Sequence, residues 1–242
     1  MTHSTDATGA PAPLAYLLAP VAGFVDAVGF ITLAGVFVAN MSGNTVRFAV
    51  DIGQGAWSDA LTRGVPILLF VVGVALAIGV VSAIGRRLTP STLTPLLVVE
   101  AVLLAAFMLV GTLVFDGRLA TGSSARYYVL IPFAVVAMAI QTVTLRRVAG
   151  VPVQTAYVTS MLAFVGEEAV EALAERGTPR GAEARRRIRI HGGVWLAYLV
   201  GGGVGALLAD KVEYMALAAP LAVLAVVLVV ARNPAWPGTT AA

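Results

Sequence analysis

The stretch VFVANMSGNTVRFAVDI, Val36–Ile52, decides how this chain is read. It opens with β-branched and aromatic residues, passes through Asn40, Ser42, Gly43 and Asn44, and ends in an apolar run. Ser or Asn suits the residue before a helix, where its side chain satisfies a free backbone N–H, and Gly admits close backbone approach. The order predicts an extended arm, a break and then a short helix. A second such stretch, VPVQTAYVTSMLAFVGEEAVEAL, runs from Val151 to Leu173. Irregular backbone of this apolar kind is tolerated inside a bilayer only where protein or a polar cavity surrounds it.

Outward from these two segments lie six longer apolar runs: Leu14–Leu33, Pro66–Gly85, Thr94–Phe115, Tyr128–Leu145, Gly192–Ala209 and Tyr214–Ala231. Each meets or approaches the ~20 residues a helix needs to cross a membrane, and all are too long for strands. The expected fold is an all-α integral membrane protein with six full transmembrane helices and two broken half-helix segments. If the broken segments cross fully, it has eight spans. Composition agrees: of 242 residues, 59% are hydrophobic and 12% charged, and the mean hydropathy is +0.90. A soluble domain carries about 25% charged residues, because a water-facing surface needs them.

The net charge of +3 does not imply nucleic acid, since the arginines lie between apolar runs, where they orient a membrane protein. With six crossings, eleven Lys and Arg fall on the side of the N-terminus and four opposite, and Arg47 lies inside the first broken segment. Both termini are therefore expected in the cytoplasm. With eight spans the split is ten to five.

A shift of 115 residues lays Ala34–Val38 (AGVFV) on Ala149–Val153 (AGVPV), Asp26 on Gln141 and Val28 on Val143. A two-residue slip then sets Ser42-Gly43 on Thr159-Ser160, and Gly73/Ala77 matches Gly201/Gly205 further on. The chain thus divides into a disordered tail, 1–13, a first membrane repeat, 14–115, a second, 116–231, holding a basic cytoplasmic loop at 174–191, and a C-terminal tail, 232–242. The first tail has no Lys or Arg, unlike a cleaved signal peptide, so the first span is expected to be retained. Three spans per half is an odd number, so six crossings make the halves inverted; eight make them parallel.

The run AGFVDAVGFITLAGVFVANMSGNTVRFAV, Ala22–Val50, resembles the signature of the YoaK-like family of bacterial inner-membrane proteins, a domain of unknown function. The shared features are the Asp in the first helix, the Phe-Val-Ala-Asn-Met-Ser-Gly-Asn turn and the Arg that follows. Gln141, Arg146-Arg147 and the Thr155–Ser160 turn are similar to that family's later motif, with Ser160 where a Gly is usual. The resemblance runs from Tyr16 to Ala231 and implies a multi-pass protein of the bacterial cytoplasmic membrane. It brings no activity with it.

The candidate binding residues are Asp26, Asn40, Ser42, Gly43, Asn44, Arg47, Gln141, Thr155, Thr159 and Ser160. A helix that starts inside the membrane presents unpaired N–H groups and partial positive charge, which favour anions. Transporters with repeats aim such helix ends at substrate near the midplane; the plainer reading is that these residues cap a buried break. Asp26, in the first span, costs about 2.5–3.5 kcal/mol on insertion scales unless partnered. Arg47 is the nearest counter-charge in sequence, and a hydrogen bond to the Ser/Asn turn is the structural alternative. Glu100, in the third apolar run, has no evident partner and is a coupling candidate. The small residues at Gly73/Ala77 and Gly201/Gly205 suit packing within the monomer or a homodimer.

There is no cysteine and there are two histidines, so no metal or other cofactor is expected, and no nucleotide-binding or nucleophile motif occurs. Three functions remain: a transporter or permease-like protein for a small polar or anionic solute, a non-transporting sensor or assembly partner acting through the Arg185–Arg189 cluster, and an intramembrane enzyme pairing Asp26 with Glu100. The first is favoured, and no enzyme is expected.

Overall fold

A computed structural model describes residues 12–84, 90–115, 124–144, 147–148, 151–152 and 158–231. Among the described residues eight helices run α1 (Ala12–Thr32), α2 (Met41–Gly53), α3 (Trp57–Ile84), α4 (Pro90–Leu109), α5 (Ala125–Thr144), α6 (Val158–Ala174), α7 (Pro179–Val212) and α8 (Ala218–Ala231). A π turn, Val110–Val114, extends α4, and a 3₁₀ turn, Glu213–Leu217, joins α7 to α8. Two-residue strands β1 (Arg147–Val148) and β2 (Val151–Pro152) pair antiparallel.

Among the described residues, five stretches are long and apolar enough to cross a membrane: Pro13–Thr32, Trp57–Ala83, Thr94–Val114, Ala125–Thr144 and Pro179–Val230, the last holding both α7 and α8. They contain most of the six apolar runs. The two broken segments do form short helices, α2 and α6, at the positions their polar breaks predict.

One boundary differs from expectation. The basic region 174–191 is not a loop: α7 begins at Pro179 and continues without interruption into the span. Thr178 accepts from the Gly181 N–H at 3.2 Å, and Pro179 occupies the first turn, where its missing N–H is no loss. The Ala, Arg and Glu that follow are good helix formers.

In α1 and α5, 67% of the spanning residues are buried, against 22% in α3 and 28% in α4. α1 and α5 are therefore central, and the outer helices turn Leu68, Val71, Leu76, Leu113 and Val229 outward. Such a surface is made for lipid, since apolar groups face out and polar ones are held within.

Small residues set the close contacts. A Cβ on Gly23 would overlap the Tyr198 carbonyl, one on Gly201 would overlap Pro20, and one on Gly205 would lie 2.7 Å from the Phe24 carbonyl oxygen. α7 thus runs alongside α1, backbone to backbone. Likewise a Cβ on Gly73 would lie 2.8 Å from Ala139, bringing α3 against α5. Both small-residue faces are spent inside the molecule, which removes the sequence argument for a homodimer through them.

Candidate functional site

The first broken segment is fixed in four ways. Ala34 and Gly35 have φ of 55° and 68° and reverse the chain after α1; this left-handed backbone is cheap for Gly and costly for Ala. The Arg47 guanidinium donates to the Gly35 carbonyl and lies 6.0 Å from the Phe30 ring centre. Asn44, fully buried, donates to the Phe37 carbonyl at 2.6 Å and accepts from the Phe37 N–H at 3.0 Å. Asp26 Oδ1 accepts from the Val38 and Ala39 N–H groups at 2.7 and 2.8 Å, and its Oδ2 accepts from the Tyr198 hydroxyl at 2.5 Å.

These bonds satisfy the polar groups of an arm that has no helix or sheet of its own, as burial requires. They also revise the expected roles. Asp26 and Arg47 do not pair: each is nearer to orphaned backbone of the arm than to the other. Gly43 is tight because the Phe37 ring would sit 2.8 Å from its Cβ. Asp26, Gly43, Asn44 and Arg47 therefore build the arm rather than offer free groups to a ligand.

What remains free lies at the start of α2. Asn40 stands at the N-cap position but makes no side-chain capping bond; instead its Oδ1 accepts from the Ser42 hydroxyl at 2.7 Å. The first-turn N–H groups are left without the side-chain partner expected of such a residue. This turn lines a cavity of about 450 Å³ with Asn40, Ser42 and Thr45. The opposite wall is the first turn of α6, Val158, Thr159 and Ser160, and Met41 and Phe70 supply apolar lining. Four of the sequence candidates, Asn40, Ser42, Thr159 and Ser160, are thus brought together; Thr155 lies outside the described residues.

Gln141 donates to the Leu18 carbonyl at 2.6 Å, which sets the end of α5 beside the start of α1. Glu100 is fully buried, and among the described residues neither of its oxygens has a hydrogen-bond partner. Asp26 and Glu100 do not hydrogen-bond to each other, so the paired-carboxylate arrangement is not formed.

Three features escaped the sequence reading. Tyr198 reaches Asp26 from 172 positions away. Asp51 and Arg63 form an ion pair at 2.8 Å between α2 and α3. Between α6 and α7, Glu168 lies 3.0 Å from His191 Nδ1 and 3.3 Å from Arg187, which also pairs with Glu171. His191 stacks on Phe164, with ring centres 4.9 Å apart. The exposed-looking Glu167-Glu168 pair gave no hint that one member turns inward.

Apolar outward faces and a partly open cavity walled by helix ends define a polytopic helical membrane protein. The chain belongs to the family described as protein of unknown function (DUF1275), whose profile matches residues 14–230. It is similar to the UPF0700 transmembrane protein YoaK of Bacillus subtilis (strain 168), with 35% identity over 91 residues. That match covers 38% of this chain and 40% of the relative. No solved structure matches the chain.

Proposed function

We propose that this protein moves a small polar or anionic solute across the bacterial cytoplasmic membrane, without catalysing a reaction, through the cavity between α2 and α6. One observation carries the reading: a short helix from each half starts at the same cavity, with hydroxyl and amide groups around it. In this reading six helices cross, and α2 and α6 each enter and leave on one side.

The geometry of the arms supports that path. Residues 36–40 run back along α1 to the level of Asp26, and α2 then retraces them, since Asn44 meets Phe37 and Arg47 meets Gly35. α2 therefore ends on the side where α1 ends. α6 runs against the first turns of α7, through Glu168–His191 and Glu171–Arg187, and ends on the side where α1 begins. The arginine-rich side is the cytoplasm, and both termini lie there.

The same reading makes the halves an inverted repeat. Phe48 packs at Gly64 as Val165 packs at Gly192, and Asp51 pairs with Arg63 as Glu168 pairs with His191. Each pair occupies matching positions of the two halves. Alternating access then follows from rocking one half against the other around the cavity.

Single cysteines test the topology, because the chain has none of its own. Gln54→Cys, after α2, reacts with an impermeant thiol reagent from the periplasmic side, and Ala174→Cys, ending α6, from the cytoplasmic side. Reaction of both from one side establishes eight crossings and removes the inverted arrangement. Flux is read by light scattering from proteoliposomes challenged with small neutral polar solutes and inorganic anions. Ser160→Trp, which fills the cavity, abolishes it. If no tested solute moves faster than in empty liposomes, or Ser160→Trp leaves flux intact while replacing Arg185–Arg189 abolishes cellular function, the sensor reading replaces this one.

A further inference from the structure

On the outer face of α7, an arginine turn stands above an apolar groove. Arg185 and Arg189 are exposed, one helical turn apart, and neither has a carboxylate within ion-pairing distance among the described residues. Their neighbours are taken: Arg186 pairs with Glu183 and Arg187 with Glu168 and Glu171. Tyr16, 37% exposed, donates its hydroxyl to the Arg189 carbonyl at 2.9 Å, which fixes α1 to this turn.

Further along, a groove of about 220 Å³ opens between α1, α7 and α8. Its lining is wholly apolar and includes Pro20, Phe24, Val200, Val204 and Pro220. Val200 lies eleven positions after Arg189. Three turns of helix return a residue to within about 20° of the same face, at a rise of ~16 Å. Half the hydrocarbon core of a bilayer is ~15 Å. Exposed Leu196 lies between the two, so the face changes from cationic to apolar in the order a single leaflet demands.

We infer that this face binds one anionic phospholipid of the leaflet on the side where α1 begins, its phosphate against Arg185 and Arg189 and one acyl chain in the groove of Pro20, Phe24, Val200 and Val204. Charge complementarity selects the headgroup and the dry groove holds the chain. This lipid site is independent of the transport reading.

Native mass spectrometry of delipidated protein, titrated separately with phosphatidylglycerol, phosphatidylcholine of identical chains and glycerol phosphate, tests it. Wild-type protein retains one phosphatidylglycerol roughly twenty-five-fold more tightly than phosphatidylcholine, from about fivefold per arginine. Arg185→Gln with Arg189→Gln removes that preference, weakening phosphatidylglycerol far more than phosphatidylcholine. Val204→Trp fills the groove from an exposed position and weakens both lipids. Glycerol phosphate, which lacks chains, does not compete. An unchanged preference in the arginine double variant overturns the site, as does undiminished binding in Val204→Trp or competition by glycerol phosphate.

Discussion

Asn44 bonds both the N–H and the carbonyl of one residue, Phe37, doing with a side chain what a neighbouring strand would do with its backbone. Asn44→Asp keeps the size but turns the donor facing the Phe37 carbonyl into an acceptor. It should destabilise the protein more than Asn44→Ala, since repulsion is added to the loss of a buried hydrogen bond, about 1–3 kcal/mol. Asp26 gives the converse case. Asp26→Asn retains an oxygen for the two amides of Val38 and Ala39, whereas Asp26→Ala strands both and the Tyr198 hydroxyl. Thermal unfolding in detergent should fall far more for Ala than for Asn; equal losses would show that the arm does not depend on this carboxylate. Sequence made Asp26 conspicuous because charge in an apolar run is costly. It left two partners open, Arg47 and the Ser/Asn turn; the folded arm supplies the amides of Val38 and Ala39, just before that turn. Tyr198 was illegible, its bond being purely tertiary.

At the scale of elements, the short helices were readable because a polar break and an apolar run are local signals. Their attachment was not. α2 is held to α3 by Asp51–Arg63, with side chains 13% and 14% exposed, and α6 to α7 by Glu168 with His191 and Arg187. Bonds to charged groups contribute about 1.5–3 kcal/mol, so loss of one should speed local opening roughly tenfold or more. Amide hydrogen exchange should rise in α2 alone for Asp51→Asn, and in α6 alone for Glu168→Gln. A rise spread over the whole chain in either variant would mean that the short helices do not open independently. Glycine contacts between long helices allow a sharper comparison. Gly201→Ala drives a methyl into the Pro20 backbone, while Gly203→Ala on the same helix meets nothing within 4 Å. Overpacking costs about 1–3 kcal/mol, so the melting temperature should drop for the first and hold for the second. The sequence pattern marked Gly201 as a close-contact residue but could not choose between a neighbour in the chain and one in a second copy.

For the whole molecule, the decisive relation is that residues more than a hundred positions apart, Ser42 and Ser160, line one space. The 115-residue offset hinted at it by giving matching breaks, yet an offset carries no direction: inverted and parallel halves produce the same alignment. Only the folded chain brings the first turns of α2 and α6 to one cavity. A cysteine-free background makes that relation directly measurable. With Ser42→Cys and Ser160→Cys in one chain and a protease site inserted between residues 116 and 123, a short bismaleimide should tie the halves together, so that the cut protein still migrates as one band. Ser42→Cys with Leu207→Cys is the control, because Leu207 lies 68% exposed on the outer face of α7 and should leave two fragments. Protection of the cavity pair by a transported solute would then tie the shared space to solute binding. If the cut protein separates into halves however long the reagent acts, the first turns of α2 and α6 do not meet, and a common solute path between them has no wall on one side.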